Sequence, residues 1–224
     1  MKMTIISDTH CKHKQITNQL SGGDIIIHSG DISSVGYKHE IIDFCKWFDN
    51  LDYDFKIFIA GNHDFLFQDD PDMAAEIINS YKNIDYLEDN FLTINDIKIW
   101  GSPWTPVFNN WAFNGTAYEL EQKWETIPDD VDVVITHGPV FGHLDKVIGE
   151  SGNNLGCYSL EQKLSKITPK MHICGHIHSG YGHKYYNGTH FFNGSVLDER
   201  YIYTQPPFNV DWDSTNNKID FYER

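Results

Sequence analysis

Met171-His172-Ile173-Cys174-Gly175-His176-Ile177-His178 decides the fold expected of this chain. Residues 171–174 form a short, mostly apolar run of the kind found in strands buried on both faces. Two histidines at alternate positions follow at once. Alternate side chains of an extended segment point the same way, so both imidazoles can face neighbouring metal ions. The pattern recurs four times upstream: residues 3–6 run into Asp8-Thr9-His10, 24–27 into Gly30-Asp31, 55–59 into Gly61-Asn62-His63-Asp64, and 131–135 into His137-Gly138. Any one of these alone is ordinary turn chemistry, because glycine tolerates positive φ and aspartate accepts hydrogen bonds from nearby amides. Five in a fixed order, each directly after a strand-like run, point to one two-metal site assembled from loops at the edge of a sheet.

Between these runs, residues 38–50, 72–81, 117–125 and 159–166 read as helices. Ile41, Ile42, Phe44, Cys45 and Phe48 give the first of them one apolar face. Strand alternating with helix implies right-handed crossovers and parallel pairing. Late in the chain the pattern changes. Residues 181–186 and 189–192 flank the turn-like Asn187-Gly188 and read as a hairpin, 199–203 as a further strand. The expectation is α/β with mixed sheets, parallel in the middle and antiparallel towards the end. From about residue 204 onward, Pro206-Pro207 and Asn216-Asn217 suggest an irregular segment over the surface.

At 224 residues the chain is expected to fold as one domain, residues 1–224, without help from disulfides. Its four cysteines, Cys11, Cys45, Cys157 and Cys174, contain no CxxC pair, which excludes a zinc knuckle and fits a reducing compartment. No leader of signal type and no run of bilayer length are visible, so a soluble, cytoplasmic protein with no membrane role is expected. With 32 acidic and 17 basic residues the formal net charge is -15, which repels a long polyanion such as duplex DNA. A small phosphorylated substrate, bound directly by metals, is the easier fit.

The ordered set Asp-x-His, Gly-Asp, Gly-Asn-His-Asp, His-Gly and Gly-His-x-His resembles that of the calcineurin-like metallophosphoesterases. Gly101-Ser102-Pro103-Trp104, His137-Gly138-Pro139, Gly180-Tyr181-Gly182 and Asn193-Gly194-Ser195 extend the resemblance to the branch of the metallophosphoesterase-domain (MPPED) proteins and class III cyclic nucleotide phosphodiesterases. It implies a four-layer α/β/β/α sandwich with two mixed β-sheets. It also implies that Asp8, His10, Asp31 and His178 hold one metal and that Asp31, Asn62, His137 and His176 hold the other, Asp31 bridging. A shared carboxylate and a bridging hydroxide reduce the repulsion between cations ~3.5–4 Å apart, and that hydroxide is the expected nucleophile. His63 is the implied proton donor to the leaving oxygen, with Asp64 expected to orient its imidazole. Some vertebrate members carry glycine where His176 stands here, so this chain is expected to have a complete centre. Manganese or iron is favoured, with zinc, cobalt or nickel also compatible; calcium prefers oxygen-rich sites. The related enzymes make a homodimer the expectation.

The expected activity is phosphodiesterase cleavage of a small nucleotide-type diester. A phosphomonoesterase or nuclease on the same site is the alternative, and a non-catalytic interaction scaffold is disfavoured because every ligand position is filled. Trp104, Phe108, Trp111 and Phe113, with Asn109, Asn110 and Asn114, offer rings and amides to a base, against the alternative that they cover the sheet or a dimer interface. Trp104, Phe108, Asn109 and His143, the last in the loop after His137, are the candidate substrate contacts. His28 is expected as a supporting partner of Gly30-Asp31 or a core residue. His13, His39, His172, His183 and His190 are expected in surface or structural roles.

Overall fold

Ile5, Ile25, Ile27 and Ile57 share one buried cluster, whereas their strand neighbours Ile6, Ile26 and Phe58 belong to another. Each of these strands is therefore apolar on both faces, as its sequence requires. The computed structural model describes residues 1–147, 153–213, 215–216 and 218–223. In chain order the strands are β1 (Lys2–Ile6), β2 (Gly23–His28), β3 (Tyr53–Phe58), β4 (Asp85–Tyr86), β5 (Asn90–Ile94), β6 (Ile97–Ser102), β7 (Thr105–Pro106), β8 (Asn114–Gly115), β9 (Val133–Thr136), β10 (Met171–Cys174), β11 (Gly182–Tyr186), β12 (Thr189–Asn193), β13 (Phe208–Asp213) and β14 (Lys218–Glu223). The helices are α1 (Lys38–Asp49), α2 (Phe65–Asp69), α3 (Pro71–Ile78), α4 (Ala117–Glu125) and α5 (Tyr158–Ile167).

Two six-stranded mixed sheets result, ordered β14-β13-β1-β2-β3-β4 and β11-β12-β10-β9-β6-β5. β1 to β4 pair in parallel, as do β6, β9, β10 and β12; β13–β14, β11 and β5 add antiparallel edges. Met3, Ile5, Ile27 and Ile57 of the first sheet share the interior cluster with Ile99, Val133, Ile135, Ile173 and Phe192 of the second. Outside the first sheet, Phe44, Phe48 and Ile77 of α1 and α3 cover it; outside the second, Leu120, Trp124, Leu160 and Leu164 of α4 and α5 do the same. The α/β/β/α layering implied by the sequence is thus the architecture.

Local signals place the helices. Thr116 caps α4 reciprocally: Glu119 N–H donates to its hydroxyl oxygen at 3.4 Å, while the Glu119 carboxylate accepts from Thr116 N–H at 2.8 Å. Asp70 caps α3 by accepting from Met73 N–H at 3.1 Å, with Pro71 at the first helical position. No helix among the described residues is long and apolar enough to cross a membrane.

Two sequence expectations need correction, and one element is missing from the sequence reading. The segment after residue 204 is not an irregular tail: Phe208, Val210 and Trp212 of β13 alternate inward with Asp211 and Asp213 outward, and β13 pairs antiparallel with β1. Residues 199–203 form a turn, with Tyr201 at φ +58°, and only Leu197 and Tyr203 bridge across it. The β5–β6 hairpin is absent from the sequence reading, although Asn95 and Asp96, at φ +48° and +65°, form the doubly left-handed turn that such residues favour. Replacing Phe192 by alanine, which empties the inter-sheet core, should cost about 3–5 kcal/mol in urea denaturation. Tyr118→Ala, on the exposed face of α4, should stay within about 0.5 kcal/mol in the same measurement.

Candidate metal centre

The C-terminal ends of the parallel strands converge. Asp8 follows β1, Asp31 follows β2, Asn62 and His63 follow β3, His137 follows β9, and His176 and His178 follow β10. Donor atoms gather in three groups, each within 4.8 Å of one another: Asp8, His10 and His178; His10, Asp31 and His63; Asp31, His137 and His176. Asp31 belongs to two of them. Its Oδ2 lies 3.3 Å from His137 Nε2, 3.7 Å from His10 Nε2 and 4.0 Å from His63 Nε2. Asn62 Oδ1 stands 2.9 Å from His137 Nε2, and Asp8 Oδ1 stands 3.5 Å from His178 Nε2. All seven expected ligands are thus brought to one place.

The other ring nitrogen of three of these histidines explains their orientation. His10 Nδ1 meets Ser33 O at 3.2 Å, His137 Nδ1 meets Ser29 O at 2.9 Å, and His178 Nδ1 meets Asp198 O at 2.9 Å. A carbonyl oxygen only accepts, so each Nδ1 carries the proton and each Nε2 is aimed at the cluster, the arrangement that orients imidazole ligands around metals. The His10 Nε2 is buried without a hydrogen-bond partner, which a cation at that point would supply. The donor chemistry fits divalent metal ions, and the orphaned nitrogen fits a cation beside His10.

Asp8 is held by His176 N–H, at 3.1 and 3.0 Å from its two oxygens, and by Ser195 Oγ at 2.8 Å. His28 donates from Nε2 to Thr9 Oγ1 at 2.9 Å and accepts from Gly30 N–H at 3.3 Å, joining the loops that carry Asp8 and Asp31. Backbone strain collects here: Asp8, His10, Asp31 and His176 all have left-handed φ, between +40° and +67°. The motif glycines meet the same crowding. A Cβ on Gly61 would stand 2.3 Å from Asp31 Oδ1, and one on Gly175 would stand 2.1 Å from Asp8 Oδ2.

Burial by itself would raise both buried carboxyls, but the imidazoles outweigh it and hold Asp31, beside His137, and Asp8, beside His178, well below the usual carboxylate range. Burial opposes charge on the histidines too. Asp31 nonetheless lifts His137 to about 9, and Asp8 lifts His178 to about 9. Burial prevails at His10 and His176, lowering each to about 4. Without metal, two imidazolium–carboxylate pairs therefore stand beside two neutral imidazoles at pH 7.

The sequence model of the calcineurin-like phosphoesterase superfamily domain matches residues 1–201. The chain belongs to this superfamily. Metallophosphoesterase domain-containing protein 1 of Homo sapiens is 34% identical over 240 residues, spanning 96% of this chain and 72% of that protein; the Mus musculus protein of the same name matches equally. The crystal structure of TT1561 of Thermus thermophilus superposes with a TM-score of 0.67 at 12% identity over 99% of this chain and 98% of that one, a likeness of fold.

Within this calcineurin-like frame several expected residues take other places. Asp64 does not touch the His63 imidazole. Its carboxylate accepts from the main-chain N–H groups of Ile32, Ser33 and Gly61 and from Ser33 Oγ, clamping the loops after β2 and β3 together. Burial, then the charge of Asp31, raises it to about 6. The His63 ring is oriented by Ser34 O, 2.7 Å from its Nδ1, and by Trp111, stacked at 4.1 Å. Trp104 is half-buried and packed against core residues, with Lys123 Nζ 4.0 Å from its ring centroid and Phe113 edge-on. His143 faces away from the cluster, buried on the outer side of the second sheet and stacked on Phe191 at 4.1 Å. Asn109 serves its turn at φ +52°, its carbonyl accepting from Asn114 Nδ2. Phe108 alone of the four lies at the rim, exposed and 6.5 Å from the His176 ring. Tyr201, whose ring meets those of His10 and His178 edge-on, is a neighbour that the sequence reading misses; nothing in its local sequence marks it.

Cation uptake at pH 7 must displace the protons of His137 and His178, so calorimetry in buffers of different ionisation heat should show about two protons released per filled centre. Because both groups titrate at about 9, apparent metal affinity should rise with pH from 7 towards 9. In metal-free protein the stabilisation from these raised histidines should be complete below 6.5 and lost as pH climbs through about 9, read as a falling thermal midpoint.

Proposed function

We propose that this chain is a dinuclear metal-dependent phosphoesterase, most suited to a small nucleotide-type phosphodiester. Asp8, His10, Asp31 and His178 would hold one cation, and Asp31, Asn62, His137 and His176 the other, with manganese or iron favoured. The observation that carries this reading is the position of Asp31, one buried carboxylate shared by two groups of imidazole donors. When bound, the metals supply Lewis acidity towards a phosphoryl oxygen and a water of lowered pKa as nucleophile.

The chain's own residues arrange the remainder. Asp8 and Asp31 bring negative charge to the cluster, and the carbonyls of Ser29, Ser33 and Asp198 keep the ligand nitrogens aimed at it. His63 stands at the mouth. Its Nδ1 donates to Ser34 O and its Nε2 is turned towards the cluster, so that the ring, when it carries a proton on both nitrogens, would give the Nε2 proton to the departing alcohol oxygen and keep the one on Nδ1. Phe108 offers an exposed ring at the His176 side, where a planar leaving or retained group can stack. The net charge of -15 supports a small substrate over a polyanion.

Hydrolysis of bis(p-nitrophenyl) phosphate beside p-nitrophenyl phosphate, with metal-stripped protein and manganese restored, tests the reading. Diester cleavage should depend on manganese and vanish in Asp31→Ala; exclusive cleavage of the monoester would replace the diesterase assignment by a phosphomonoesterase. His63→Ala should keep both metals by elemental analysis and lose about 10²–10⁴ in turnover on a diester with a poor leaving group such as diphenyl phosphate; loss of metal would make His63 a ligand instead. Phe108→Ala should raise KM for nucleotide diesters with little change in kcat, and an unchanged KM would remove the stacking role.

A further inference from the structure

The carboxylate of Asp64, next to His63 in the chain, is turned to the loops, and what holds the His63 ring comes from elsewhere. We infer that Trp111 is a positioning residue for His63, setting the plane of the imidazole so that its Nε2 stays directed at the leaving-group oxygen. This rests on the proton-donor role proposed for His63. The two rings stack with centroids 4.1 Å apart and planes inclined by 27°. On its other side His63 meets the His10 ring edge-on at 4.6 Å, so the imidazole is enclosed between an indole face and a proposed metal ligand.

A histidine's second side-chain torsion is broad, and one hydrogen bond at Nδ1 leaves the ring free to rock about that contact. Ser34 O fixes the direction of Nδ1, and the indole face removes the rocking. Trp111 is itself held in register with the motif it serves. Ala112 N–H donates to Asn62 O at 3.1 Å, which ties the tryptophan's own segment to the residue preceding His63. Phe113 N–H donates to the Gln68 side chain, and Thr105 N–H donates to Phe113 O at 2.9 Å. Phe65 lies 5.9 Å from the indole. Any displacement of the 111–113 segment thus moves with Asn62, and the donor keeps its aim relative to the cluster.

A positioning role has a signature that general destabilisation lacks. Protonation matters for a poor leaving group and hardly at all for a good one. Trp111→Ala should therefore lower kcat on diphenyl phosphate by about 10²-fold while leaving bis(p-nitrophenyl) phosphate largely unaffected. KM and metal content should not change, and Trp111→Phe should restore most of the lost rate. Equal losses on both diesters, or a loss confined to KM, would overturn the inference. The ring nitrogens of His63 should give sharp signals in ¹H–¹⁵N imidazole spectra of wild type and Trp111→Phe that broaden by exchange in Trp111→Ala, where the ring rocks about its Ser34 contact. Equally sharp signals in Trp111→Ala would also overturn it, whatever the activity. If His63→Ala shows no leaving-group dependence while the spectra behave as expected, the donor role fails and the positioning contact stands.

Discussion

The shared burial of Asp31 is the constraint on which the rest depends. A carboxylate withdrawn from water at the joint of two sheets is costly unless positive charge or donors surround it. Here three imidazole nitrogens and the His63 main-chain N–H approach it from separate loops. Asp8 repeats the solution with His178, the His176 amide and Ser195. Such a cluster holds together without metal through ion pairs, and the same geometry offers its Nε2 atoms to cations. Structure and chemistry are therefore served by one set of contacts.

Bringing that many donors together requires close backbone approach. Gly61 lies where any side chain would strike Asp31, and Gly175 where it would strike Asp8. Asp8, His10, Asp31 and His176 adopt left-handed φ because the strand must turn sharply for its next residue to face the cluster. The sheets are locked across this edge by His137, which comes from the second sheet and donates to Ser29 O of the first, and by the bridge between Ser7 and Ser195. Within the first sheet, Asp64 fastens the loops after β2 and β3 to each other by collecting four donors. A carboxylate beside the proposed proton donor thus supports the loops, while an indole and a main-chain carbonyl orient the ring.

Much of this was legible in the chain itself. Apolar runs of four or five residues followed at once by Asp, Asn or His specify both a buried parallel strand and the position of its functional end. Period and spacing likewise located α1, α4, α5 and the β11–β12 hairpin within a residue or two. Residues 208–213 were less transparent, because Asp211 and Asp213 make the segment polar overall although Phe208, Val210 and Trp212 are buried. The pair Pro206-Pro207 in front of it carries the chemistry of a loop.

The sequence by itself determined the inventory of carboxylates, amides and imidazoles, the order of strands along the chain that carry it and the family, because those depend on residue type and local periodicity. Tertiary structure decided which neighbours serve the site. Asp64 is adjacent to His63 in the chain, yet its side chain turns to the loops behind; Trp111 lies far along the chain, yet stacks on His63. Trp104 and Phe108 belong to one aromatic stretch, but Lys123 covers the first while the second remains at the rim. Tyr201 reaches His10 only because Asp198 holds the turn that carries it. Side-chain direction at loop positions is set by contacts between segments distant in sequence, and no local pattern encodes it.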